Sequence, residues 1–116
     1  MARQSVLDMG VSRVYPLLVR KAERKGRTYA EVIEVTSWLT GYSREQIEEA
    51  VASDMTYGAF LADAPAPNPR ADLIRGKVCG VAVEAIEDPL MRRVRQLDKL
   101  VDELAKGWPM EKILRK

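Results

Sequence analysis

The chain has 116 residues, 47% apolar and 31% charged, the size and composition of one globular domain that buries its own core without metals or disulfides. Its one cysteine, Cys79, has no internal partner, which excludes a secreted disulfide framework and points to a reducing cytoplasm. No apolar run approaches the ~20 residues that span a bilayer, and residues 1–10 lack a signal-peptide core.

The net charge of +2 is unevenly placed: residues 1–27 carry seven Lys or Arg against Asp8 and Glu23, and residues 28–64 carry only Arg44 against seven acids. Such a division suits complementarity within or between subunits better than one uniform nucleic-acid-binding face.

Ser5 to Met9 reads as an extended arm or edge strand. Val11, Val14, Leu18 and Ala22 recur at helical spacing through Lys25, with Ser12 as the candidate N-cap, Pro16 near the end of the first turn and Gly26 as the stop. Thr28 to Glu31 is a capping box opening a helix to Leu39, closed by Gly41. Ser43 to Gln46 repeats the device and starts a helix to about Ser53. Thr56 caps a short helix bearing Phe60 and Leu61, and the alternating prolines from Pro65 to Pro69 exclude helix or interior strand.

Beyond that break, Leu73-Ile74 and Val78 to Ile86 are rich in β-branched residues, with Gly76-Lys77 as a two-residue hairpin turn and Gly80 as a bulge. A lone hairpin is marginal in water, so residues 3–9 are the candidate third strand. Asp88-Pro89 then opens a long helix closed by Gly107. Along it Leu90, Val94, Leu97, Val101 and Leu104 draw an apolar stripe, which Leu100 widens. Such a stripe serves either the chain's own core or a dimer seam, and here it spans only about two heptads. Met110, Ile113 and Leu114 offer a last short helix.

The sequence has no histidine, so the commonest general base is missing and zinc sites built from His and Cys cannot form. No phosphate-binding glycine loop occurs. These residues assign no catalytic group, no cofactor and no metal. Cys79 reads as a structural thiol, and Asp88 with Glu87 as helix-capping charge. Ala30 to Val51 has the parts of a helix-turn-helix, but Glu45, Glu48 and Glu49 on its second helix would face the phosphate wall and be repelled.

The segments VYPLLVRKAERKGRT (Val14 to Thr28), WLTGY (Trp38 to Tyr42), CG (Cys79, Gly80), IEDPLMRRVRQLDKLVDELAKG (Ile86 to Gly107) and MEKILR (Met110 to Arg115) resemble, in order, the bacterial family catalogued as domain of unknown function 2200. The resemblance implies a small bacterial protein and carries over no activity, cofactor or catalytic residue.

The expectation is one α+β domain over residues 1–116, mainly helical, with an antiparallel hairpin or three-stranded sheet before the long C-terminal helix. Its leading function is a non-enzymatic interaction module, a homodimer through the helix beginning at Pro89. A small-ligand binder or histidine-free enzyme is the rival, with a pocket between hairpin and helices lined by Tyr15, Trp38, Tyr42 and Cys79. A weak nucleic-acid binder using the basic residues of 13–27 is the third reading. No membrane association is expected.

Overall fold

Six α-helices and one small hairpin make up the regular structure of the computed structural model, which describes residues 6–78 and 80–115. The helices are α1 (Val11–Glu23), α2 (Tyr29–Thr40), α3 (Arg44–Val51), α4 (Tyr57–Ala62), α5 (Pro89–Ala105) and α6 (Met110–Ile113). Strands β1 (Lys77–Val78) and β2 (Val81–Ala82) pair antiparallel, Lys77 opposite Ala82 and Val78 opposite Val81. The mainly helical α+β architecture is the one expected. Among the described residues no helix is long and apolar enough to cross a membrane.

The helix starts follow local chemistry. Thr28 accepts from the Glu31 amide while Glu31 accepts from the Thr28 amide, and Ser43 and Gln46 repeat the exchange at α3. Thr56 accepts from the Ala59 amide, and Asp88 accepts from the Leu90 amide with Pro89 as the first residue of α5.

The start of α1 departs from expectation. Its N-cap is Gly10, in extended backbone with no side-chain cap, and Ser12 already lies inside the helix. A tertiary contact does the capping instead: the Val11 amide donates to the Met55 carbonyl (3.0 Å) and the Tyr57 amide to Met9 (2.7 Å), around a β-bridge between Gly10 and Thr56. Pro16 therefore falls in the helix interior, where it offers the Ser12 carbonyl no amide.

Three further differences concern the strands. Val6–Asp8 is a turn of 3-10 helix and no strand, and residues 3–5 of the candidate third strand lie outside the described residues. Leu73 ends a second 3-10 segment, Pro69–Leu73, begun by Asn68, whose side chain accepts from the Arg70 amide. The hairpin reversal accordingly lies between Val78 and Val81, where Gly80 takes φ 78°, and not at Gly76-Lys77.

The proline segment has a use of its own. Only Ala66 and Asn68 in it carry an amide, and these donate to the Thr40 and Leu39 carbonyls at the C-terminus of α2. The crossing is so close that a Cβ on Gly41 (φ 81°) would lie 2.6 Å from the Ala66 Cβ.

α5 is the spine of the molecule. α1, α2, α4, α6 and the hairpin all pack on it, and its Val94, Leu97, Leu100, Val101 and Leu104 are buried among Val11, Tyr15, Val32, Val35, Phe60 and Ile113. Buried Glu103 holds Arg115 through two bonds of 2.6 and 2.9 Å, fastening the C-terminal turn. Arg27 ties the α1–α2 turn to the same end of the spine by donating to the Trp108 carbonyl at 2.8 Å.

Candidate interaction face

The burial of α5 decides where association can occur. Of the stripe proposed for a dimer seam, Val94, Leu97, Val101 and Leu104 are at most 2% exposed and only Leu90 is half-buried. Four of the five side chains thus face the chain's own core, and that line offers no surface to a second copy. Leu100, which widened the stripe, is fully buried with them.

Of the four residues assigned to one ligand pocket, the three that are described are not brought together. Tyr15 is buried, its hydroxyl 2.8 Å from Thr36 Oγ1, and burial pushes that hydroxyl well above the usual tyrosine range. Its ring edges a hollow of 280 Å³ beside Pro16, Val19 and Tyr29. Tyr42 edges a different hollow of 300 Å³ on α3. The Tyr42 hydroxyl donates to the Phe60 carbonyl at 2.7 Å, and its ring stacks on Phe60 at 4.6 Å. Trp38 is half-buried against the core, and Cys79 lies outside the described residues.

The basic residues of 13–27 divide into two sets. Lys21 meets Asp102 at 3.4 Å, and Arg27 donates to Glu31 at 2.7 Å, which holds the Glu31 carboxyl below the usual range. Those two maintain the fold. The side chains of Arg13, Arg20, Arg24 and Lys25 make no hydrogen bond or ion pair among the described residues. Spaced by seven and four, Arg13, Arg20 and the C-cap Arg24 share one outward row along α1, because positions four and seven apart in a helix lie nearly above one another. Leu17 falls in that row between Arg13 and Arg20, and at 57% it is the most exposed large apolar side chain among the described residues.

The opposite charge lies on α3, which packs beside α1. Ile47 and Ala50 turn inward, which leaves Glu45 and Glu49, four apart, exposed on one face. Neither has an ion-pair partner among the described residues. Glu48 differs, since it accepts from the Tyr29 hydroxyl at 3.0 Å and pairs with Arg44 at 3.5 Å. Burial, with the bond to Glu48, raises the Tyr29 hydroxyl. Glu49 rims the 300 Å³ hollow, whose floor is Tyr42, Ala50 and Met55 with Gln46 and Ser53 at its edge.

α1 therefore presents an exposed apolar side chain flanked by free arginines, and α3 an apolar hollow with the free Glu49 at its rim. Sequence reasoning had named the charges of both segments. It could not say which were free, because Asp102 and the Trp108 carbonyl, which occupy Lys21 and Arg27, are about eighty residues away in the chain.

A family model described as an uncharacterized protein conserved in bacteria, DUF2200, matches residues 5–115. The crystal structure of uncharacterized protein SP1917 is similar at 45% identity and a TM-score of 0.92, over 98% of this chain and 93% of that one. No curated protein matches.

Proposed function

The chain belongs to the DUF2200 family of uncharacterised proteins conserved in bacteria, and for it we propose a non-enzymatic role as a self-associating interaction module that uses the α1 and α3 face. One observation carries the reading: Leu17 stands exposed in a row of unpaired arginines on α1, and neighbouring α3 carries unpaired Glu45 and Glu49, the latter at the rim of an apolar hollow. Isolated exposed apolar side chains are ordinary; one framed by uncompensated charge with its complement next to it is the anatomy of an interface.

Because α1 and α3 are neighbours, a twofold axis between two copies sets each copy's Leu17 row against the other's hollow. This makes two equal contacts and a closed dimer. Arg13, Arg20 and Arg24 then meet Glu45 and Glu49, and the charges give register while the apolar contact gives affinity.

Sedimentation velocity on the full chain at about 200 μM in low salt tests this. Twice the 13.1 kDa chain mass is expected, falling to one chain mass in Leu17→Asp, whose exposed position leaves the fold intact. A wild-type monomer under those conditions, or an undiminished dimer in Leu17→Asp, overturns the proposal.

A further inference from the structure

We propose a second site, a crevice between the first turns of α5 and the segment 67–84, that binds a small organic acid whose carboxylate adjoins a hydrogen-bond donor, as in an amino or hydroxy acid. Two cavities of 180 and 200 Å³ adjoin there, sharing Asp72, Arg92 and Gln96 in their walls. Each is smaller than the ~300–1,000 Å³ of a drug-sized site, which suits a small metabolite.

The cations of the crevice are held in place without being neutralised. Arg92 Nε donates to the Ile86 carbonyl at 2.7 Å, and Arg93 Nη1 donates to the Leu61 carbonyl at 2.8 Å. Each bond fixes a guanidinium by one of its five donors, and neither arginine has a carboxylate within 4.0 Å among the described residues. Both arginines line the first cavity, and each guanidinium keeps a pair of donors free for a carboxylate.

The crevice also supplies acceptors: Gln96 one turn along α5 from Arg92, and Asp72 on the facing segment. Gln96 is 4% exposed, yet only its amide nitrogen is engaged, donating to the Ala71 carbonyl at 3.2 Å. Gln96 lines both cavities, and its Oε1 accepts no hydrogen bond among the described residues. That oxygen is not among the buried unpaired atoms, so it stays accessible as an acceptor for a ligand's N–H or O–H. Asp72 adds a carboxylate with no ion-pair partner, whereas Glu84 across the second cavity already accepts from the Gly76 amide at 3.2 Å. A ligand with an anion at one end and an N–H or O–H beside it answers both the cations and the acceptors; a plain anion answers only the cations.

The test is a titration of the full chain, followed by amide NMR, with L-serine, L-malate, propionate and inorganic phosphate at matched ionic strength. Serine or malate is expected to shift the amides of residues 68–72 and 90–96 saturably, at least tenfold more tightly than propionate. Arg92→Gln is expected to weaken that binding about tenfold, and Asp72→Asn to reduce the preference over propionate. Equal binding of propionate, a response to phosphate alone, shifts elsewhere on the chain, or no saturable shift at 20 mM overturns the proposal. The wild-type map does so independently of how any variant folds.

Discussion

Tyr57, the first residue of α4, is wholly buried, its ring stacked 6.4 Å from that of Phe60, and its hydroxyl has no hydrogen-bond partner among the described residues. An unpaired buried hydroxyl costs roughly 1–3 kcal/mol, so the ring stabilises this site and the oxygen opposes it. Tyr57→Phe is expected to raise stability by about 1 kcal/mol in urea unfolding. A loss of that size would mean that the hydroxyl has a partner. The same burial gives a pH signature. Desolvation pushes the Tyr57 hydroxyl well above its usual range, so the native state holds the proton more tightly than the unfolded chain. The associated stability is complete below about pH 10 and falls as pH rises from there toward the folded value. Tyr57→Phe should therefore flatten the loss of stability between about pH 10 and 11, and Tyr15, Tyr29 and Tyr42, shifted the same way, contribute to what remains.

The crossing of the proline segment over the end of α2 shows how an element boundary is fixed by two separate demands. Gly41 must take φ 81°, and it must leave room for Ala66, whose backbone nitrogen would be 2.8 Å from an added Cβ. Gly26 has a similar φ of 84° but open space around it. Gly26→Ala is expected to cost about 1–2 kcal/mol from left-handed strain alone, and Gly41→Ala roughly 1–3 kcal/mol more from the clash, both read from urea unfolding midpoints. Equal losses would show that the proline segment yields easily. This contrast also explains what could be read in advance. Gly41 as a helix stop, the two capping boxes and Asp88-Pro89 were legible, because each device lies within four residues and speaks its own chemistry. The N-cap of α1 was not: Ser12 looks the better cap, and Gly10 prevails because distant Met55 supplies the carbonyl. The hairpin turn was misplaced for a related reason, since Asn68 draws residues up to Leu73 into a 3-10 turn before any strand can begin.

At the scale of the molecule, the candidate site was legible in its residues and illegible in its arrangement. The stripe of α5 has the same spacing whether it meets a partner or the chain's own helices, and only the wrapping of α1, α2 and α4 around it assigns it to the core. The charge asymmetry between residues 1–27 and 28–64 is then partly internal, through Lys21 and Arg27, and partly left over on α1 and α3. That remainder makes a prediction no apolar seam would share. Exposed pairs lose attraction as the Debye length contracts from about 10 Å at 0.1 M to about 3 Å at 1 M, so self-association should weaken about tenfold between 50 and 500 mM salt. Charge reversal is sharper. With Arg13→Glu and Arg20→Glu together, both faces of the copy are acidic; with Glu45→Arg and Glu49→Arg, both are basic. Each variant alone should sediment as a monomer. Mixed, they should form a heterodimer, because in a twofold arrangement both contacts then join acid to base. Two variants that remain monomeric when mixed, or a dimer indifferent to salt, would place the partner surface elsewhere.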